Sequence, residues 1–113
     1  IIQKDFDGFS CDDSATKKTI LRIFETTGEI LDPHSAIGVY AAEEFIKSKN
    51  YNGEFVVSLA TAHPAKFPDA VMDSGAPKPA LPHFLKDLMK RKETFSVIKN
   101  SLEEVKEFIG ERV

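Results

Sequence analysis

An α/β fold is what this sequence predicts: a few parallel strands flanked by helices, with a sheet left incomplete. The first observation is a nearly unbroken apolar run, Phe55, Val56, Val57, Leu59 and Ala60, interrupted only by Ser58. Its length and branched side chains suit a strand covered on both faces. The second is the way the run ends. Thr61-Ala62-His63 closes it, and Pro64 comes next, a residue favoured in the first turn of a helix, where its missing N–H is no loss. The third is the order of signals: helix, helix, strand, helix, helix, strand, helix, with only residues 54–60 and 94–99 read as strands. A parallel strand this apolar needs neighbours on both sides and helices on both faces. The rest of the sheet is therefore expected from residues outside this chain or from a partner. A small open α/β unit is the alternative.

Residues 1–11 are short and mixed, with Asp7-Gly8 as a turn signal, and suit the tail of a strand. Ser10 to Asp13 has the spacing of a capping box, and Asp12 or Asp13 serves equally well as a cap. The next helix runs to about Thr27, with Thr16, Ile20, Ile23 and Phe24 on one face and Gly28 placed to end it. Lys17, Lys18 and Arg22 form its solvated side. Asp32-Pro33 is a second start signal, a cap followed by proline at the first helical position. That helix continues to about Ser48 through Ala36, Ile37, Tyr40, Ala41, Phe45 and Ile46. Gly38 inside it costs about 1 kcal/mol relative to alanine, which points to a neighbouring element or a ligand close to the backbone. Asn50 to Gly53 is the turn into the central run.

Beyond Phe67, Pro68 resets the helix, and a short piece over 68–73 is stopped by Gly75. Residues 76–82 hold Pro77, Pro79 and Pro82 and read as an extended internal connection. A helix over 82–92 is expected to bury Phe84, Leu85, Leu88 and Met89, with Lys90-Arg91-Lys92 at its end to suit the helix dipole. Ser101 to Glu104 is a capping box, and Leu102, Val105, Phe108 and Ile109 line the last helix.

Composition narrows the function classes. A net charge of −3 without a basic block gives no footprint for nucleic acid or an anionic membrane. The single cysteine, Cys11, forms no internal disulfide, which points to a reducing, cytoplasmic setting. No apolar run reaches the length of a membrane span or a signal sequence. The chain begins Ile1-Ile2 without methionine, as an excised piece would. At 113 residues there is room for one small domain or part of a larger one.

His34, His63 and His83 lack ligand spacing, and one cysteine cannot build a zinc site, so no metal is expected. There is no Gly-x-Ser-x-Gly elbow, no Walker loop and no Gly-x-Gly-x-x-Gly. Two places remain where a helix start coincides with polar groups: Asp32-Pro33-His34-Ser35 and Thr61-Ala62-His63-Pro64-Ala65-Lys66. In open α/β sheets ligands sit outside the carboxyl ends of the strands, where Thr61, His63 and Lys66 fall. Each helix start also offers free N–H groups to an anion. Simple capping by Asp32 and by His63, with Lys66 solvated, accounts for the same residues without a ligand.

LDPHSAIGVYAAEEF (31–45) and VVSLATAHPAKF (56–67) resemble two segments near the C-terminus of threonine synthases, in this order and at this separation. The resemblance extends more weakly over essentially the whole chain. It implies the C-terminal portion of a pyridoxal-phosphate enzyme of fold type II, the tryptophan-synthase-β-like fold. Residues 1–113 would then be part of one larger catalytic unit that converts O-phospho-L-homoserine and water to L-threonine and phosphate. The family's Schiff-base lysine and cofactor-phosphate loop lie in its N-terminal half, so no catalytic residue is assigned here. The fragment alone is expected to be inactive, with the N-terminal part of the enzyme as its partner. By the same resemblance Thr61 matches the strand-end hydroxyl that faces the cofactor's pyridine nitrogen. Asp32, His34 and Ser35 look like the segment that approaches the cofactor from a helix start, and His63 and Lys66 are further pocket-lining candidates. The alternatives are a small anion- or phosphate-binding module and a non-catalytic interaction domain.

Overall fold

The first helix begins where a side chain replaces the missing backbone acceptors. Asp12, in extended conformation, accepts the Ala15 N–H at 2.7 Å and starts α1 (Asp13–Thr27); Asp13 lies inside the first turn. Gly28, at φ 80°, closes α1 by donating its N–H to the Phe24 carbonyl, a left-handed position that glycine takes without a Cβ penalty. Asp32 and Pro33 start α2 (Pro33–Lys49), and Asn50 ends it at φ 47°. The Tyr51 N–H reaches back to the Ile46 carbonyl at 3.0 Å, the six-to-one bond of a Schellman end. The computed structural model describes residues 4–53 and 55–113, so the part of the expected strands that falls on residues 1–3 and 54 lies outside it.

The chain divides into two units, Ile1–Leu81 and Pro82–Val113. In the first, α1 packs on both α2 and α3 (Pro68–Met72), around Ile20, Ala36, Val71 and Ala76. Phe24, Ile30 and Leu31 pack against this core. Burying a side chain the size of Ile20 or Val71 contributes about 1.5–3 kcal/mol, so the three helices are joined by few but well-covered contacts. Thr16 is also buried, its hydroxyl donating to the Asp12 carbonyl at 2.9 Å. Arg22 Nη2 spans to both oxygens of Glu43 at 2.7 Å, tying α1 to α2 on the solvent side. The Pro-rich stretch begins as part of this unit, with Ala76 and Pro79 buried.

The sheet expected from the sequence is not seen among the described residues. Residues 55–60 form no strand ladder and are exposed throughout, Phe55 and Val57 at 83% each. A strand is completed by a hydrogen-bonded neighbour, and the described residues supply none. One contact places the run nonetheless. A Cβ on Gly38 would lie 2.8 Å from Ser58 Oγ, so the run crosses α2 where only glycine leaves it room. Of the two readings of Gly38, the neighbouring segment is the one observed.

In the second unit no residue is buried. The helix expected over 82–92 is replaced by two single 3-10 turns, His83–Leu85 and Leu88–Lys90. Asp87 between them sits at φ −98°, ψ 2°, outside the helical basin. An isolated helix of this length is marginal unless its apolar face is covered, and here Phe84 and Met89 are 77% and 79% exposed. Residues 94–99 likewise form no ladder. The last helix, α4 (Leu102–Gly110), is capped by Ser101 Oγ, which accepts the Glu104 N–H at 3.3 Å. The return half of the capping box is not made: the Ser101 N–H donates to the Lys99 carbonyl at 2.8 Å, and the Glu104 carboxylate pairs with the Lys99 ammonium at 3.2 Å. No described helix is long and apolar enough to cross a membrane.

Candidate functional site

The two polar helix starts singled out in the sequence meet in the first unit. Asp32 is 1% exposed, and its carboxylate is the centre of a small network. Oδ1 accepts the His34 N–H at 2.9 Å and the Ser35 N–H at 3.4 Å, and lies 3.2 Å from the His34 Nδ1. Oδ2 accepts the Ser35 hydroxyl. Ser35 Oγ in turn accepts the main-chain N–H of Thr61 at 3.2 Å, across 26 residues of sequence. Asp32 thus caps α2 and, through Ser35, holds the end of the apolar run.

Burial by itself pushes the Asp32 carboxyl up. The Ser35 hydroxyl, the N–H groups of His34 and Ser35 and the His34 ring outweigh it, and together hold the group below the ordinary carboxylate value. At neutral pH the carboxylate is therefore ionised and acts only as an acceptor.

Thr61 itself is exposed. Among the described residues its hydroxyl makes no hydrogen bond, so the main chain is held while the side chain stays available. His34 is the exposed member of the first start, its ring 5.0 Å from that of Phe67. The Lys66 ammonium lies 5.7 Å from the centroid of the same Phe67 ring, within reach of a cation–π contact. Phe67 therefore links the first helix start to the second, a role not read from the sequence. Its place at the end of the ATAHPAKF segment was the available signal.

His63 is turned to its own loop. Its Nδ1 accepts the Ala65 N–H at 3.1 Å and caps the single turn Pro64–Lys66. With Gly28, Ile30, Pro64 and Pro79 it lines an open cleft of about 400 Å³, apart from the Asp32–Ser35–Thr61 network. Of the six residues singled out, the structure joins Asp32, His34, Ser35 and Thr61 by hydrogen bonds. It brings Lys66 near through Phe67 and leaves His63 local. No described residues group three or more histidine, cysteine or acidic side chains as a metal site would.

Known proteins resemble this chain over nearly all of its length. The family model described as "Threonine synthase, C-terminal" matches residues 35–109. A threonine synthase of Pseudomonas aeruginosa is 43% identical over 110 residues, covering 96% of this chain and 23% of that protein. The crystal structure of a PLP-bound threonine synthase from Brucella melitensis superposes with a TM-score of 0.71 at 41% identity, covering 96% of this chain and 22% of that one. Yeast threonine synthase superposes with a TM-score of 0.74 at 36% identity, covering 96% and 24%. The chain spans under a quarter of the length of each of these proteins.

Proposed function

Because the chain belongs to the threonine synthase family, we propose that it serves as the C-terminal part of a pyridoxal-phosphate-dependent lyase. That enzyme converts O-phospho-L-homoserine and water to L-threonine and phosphate. Pyridoxal phosphate, when bound, supplies the electron sink for this chemistry. This chain's contribution is to bind and orient it, from the carboxyl end of a central parallel strand formed by the apolar run. The neighbouring strands come from the N-terminal part of the enzyme, together with the lysine that bonds the cofactor. A cytoplasmic location accords with the single cysteine.

One observation carries the assignment of Thr61 as the cofactor-binding residue. Its main-chain N–H is tied to Ser35, while its hydroxyl is exposed and has no hydrogen-bond partner among the described residues. Such a hydroxyl suits a ring nitrogen. Being neutral, it orients the ring without enforcing a proton on the nitrogen, as a carboxylate in its place would. His34 and Lys66, both exposed around Phe67, are proposed to line the pocket, with Asp32 and Ser35 backing it and His63 shaping the turn.

The test is Thr61→Val in the complete enzyme, which keeps the shape and removes the hydroxyl. A neutral hydrogen bond contributes about 0.5–1.5 kcal/mol, and an unpaired buried acceptor costs about 1–3 kcal/mol. The expected result is a shifted cofactor absorption, turnover lower by about one to two orders of magnitude, and an unchanged melting temperature. A lower melting temperature with unchanged absorption and turnover would make Thr61 a turn residue and overturn the assignment.

A further inference from the structure

We propose that Ser35 is a positioning residue for Thr61: its hydroxyl, oriented by Asp32, holds the Thr61 main chain so that the Thr61 side chain meets the cofactor ring. This rests on the assignment of Thr61 above and goes beyond it, since it gives the site a support on a different helix.

The Ser35 side chain is not needed to cap its own helix. The cap of α2 is Asp32, whose Oδ1 already accepts the N–H groups of His34 and Ser35. Ser35 is nevertheless only 4% exposed, and its hydroxyl is joined to two partners. A hydroxyl has one hydrogen to donate. The ionised Asp32 only accepts, so the Ser35 hydrogen is committed to Oδ2, and the oxygen lone pairs face the Thr61 N–H. The polarity of the bond across the 26 residues is thus set by a buried charge.

A second restraint acts on the same segment. Three residues before Thr61, Ser58 Oγ lies close over Gly38 of α2. The run is therefore indexed against α2 at two places, Ser58 on Gly38 and Thr61 on Ser35. Both Gly38 and Ser35 belong to the first two turns of the same helix. Two contacts fix the position of the run along the helix as well as its distance from it, which is what aiming a single hydroxyl requires.

The experiment compares Ser35→Ala, Thr61→Val and the double variant in the complete enzyme, by cofactor absorption and by kcat and KM separately. Amide hydrogen exchange at Thr61 is followed in the cofactor-free protein. Ser35→Ala is expected to speed exchange at Thr61, to shift the absorption in the same direction as Thr61→Val, and to lower kcat about two- to tenfold. The double variant should be no worse than Thr61→Val alone, because nothing is left to position. Unchanged absorption and kcat in Ser35→Ala, with Thr61→Val still impaired, would overturn this inference and leave the Thr61 assignment standing. An unimpaired Thr61→Val would overturn both. If Ser35→Ala does not fold, Asp32→Asn keeps a carbonyl for the cap and withdraws the charge that orients the hydroxyl. It should produce the same spectral shift in smaller measure, and an unmoved spectrum there counts equally against the proposal.

Discussion

Asp32 illustrates how one buried side chain serves two segments at once. Its folded-state pKa lies below the ordinary carboxylate value, so the folded protein prefers the ionised form more than the unfolded chain does. The stabilisation is fully present above the unfolded value of about 3.9 and is lost as the pH falls from there through the lower folded value. Asp32→Asn separates charge from cap, since asparagine caps nearly as well as aspartate. The variant should be less stable than the parent at neutral pH, by about 1–2 kcal/mol, with the difference shrinking as the pH falls below about 4. Helical circular dichroism under urea, parent against variant at a series of pH values, measures this. A difference that stays constant through the acid range would mean that the charge is not what Asp32 contributes.

Helix α2 carries a glycine that lowers its own stability, and the reason is the approach of Ser58. Gly38→Ala raises helix propensity by about 1 kcal/mol, but the new Cβ would stand 2.8 Å from Ser58 Oγ. That is closer than such atoms come without one of them moving. The substitution alone should therefore fail to stabilise the complete enzyme. Combined with Ser58→Ala, which removes the obstructing oxygen, it should recover most of the lost gain. Urea denaturation of the parent, both single variants and the double variant gives the coupling. Additive effects would show that Ser58 does not press on α2. The ends of α1 and α2, by contrast, depend on short-range chemistry alone. Asp12 and Asp32 cap, Gly28 and Asn50 take the left-handed conformation, and all four are set by the residue itself.

Taken as a whole, the chain leaves more apolar surface uncovered than a self-sufficient domain does. Phe55, Val57, Leu59, Phe95 and Val97 are each at least 73% exposed, and residues 82–113 hold no buried residue. Exposed apolar runs with free backbone groups favour pairing with other chains. The isolated 113 residues are therefore expected to self-associate in a concentration-dependent way, and Val57→Lys should weaken that association. Sedimentation velocity measures both, and a monodisperse monomer over a wide concentration range would contradict the expectation. The same isolated chain, given pyridoxal phosphate and O-phosphohomoserine, should release no phosphate above a protein-free control. Clear release would mean that the catalytic machinery is more local than a division between two parts of one enzyme allows.

Caps and breakers were legible because their physics spans three or four residues. Asp32-Pro33 announced α2, and Gly28 and Gly75 announced stops, from side-chain type alone. The apolar spacing of Ile20 and Phe24 likewise foretold the face of α1 that packs on the core. The motif residues Asp32, Ser35 and Thr61 could be named as candidates, yet nothing in their spacing showed that Ser35 accepts from the Thr61 main chain. That bond exists only because α2 and the apolar run are brought together in space. The helix expected over 82–92 is replaced by two short turns, and residues 55–60 and 94–99 pair with no strand among the described residues, for the complementary reason. An amphipathic helix and a strand are both completed by what covers them, and local pattern records the need for a neighbour without supplying one.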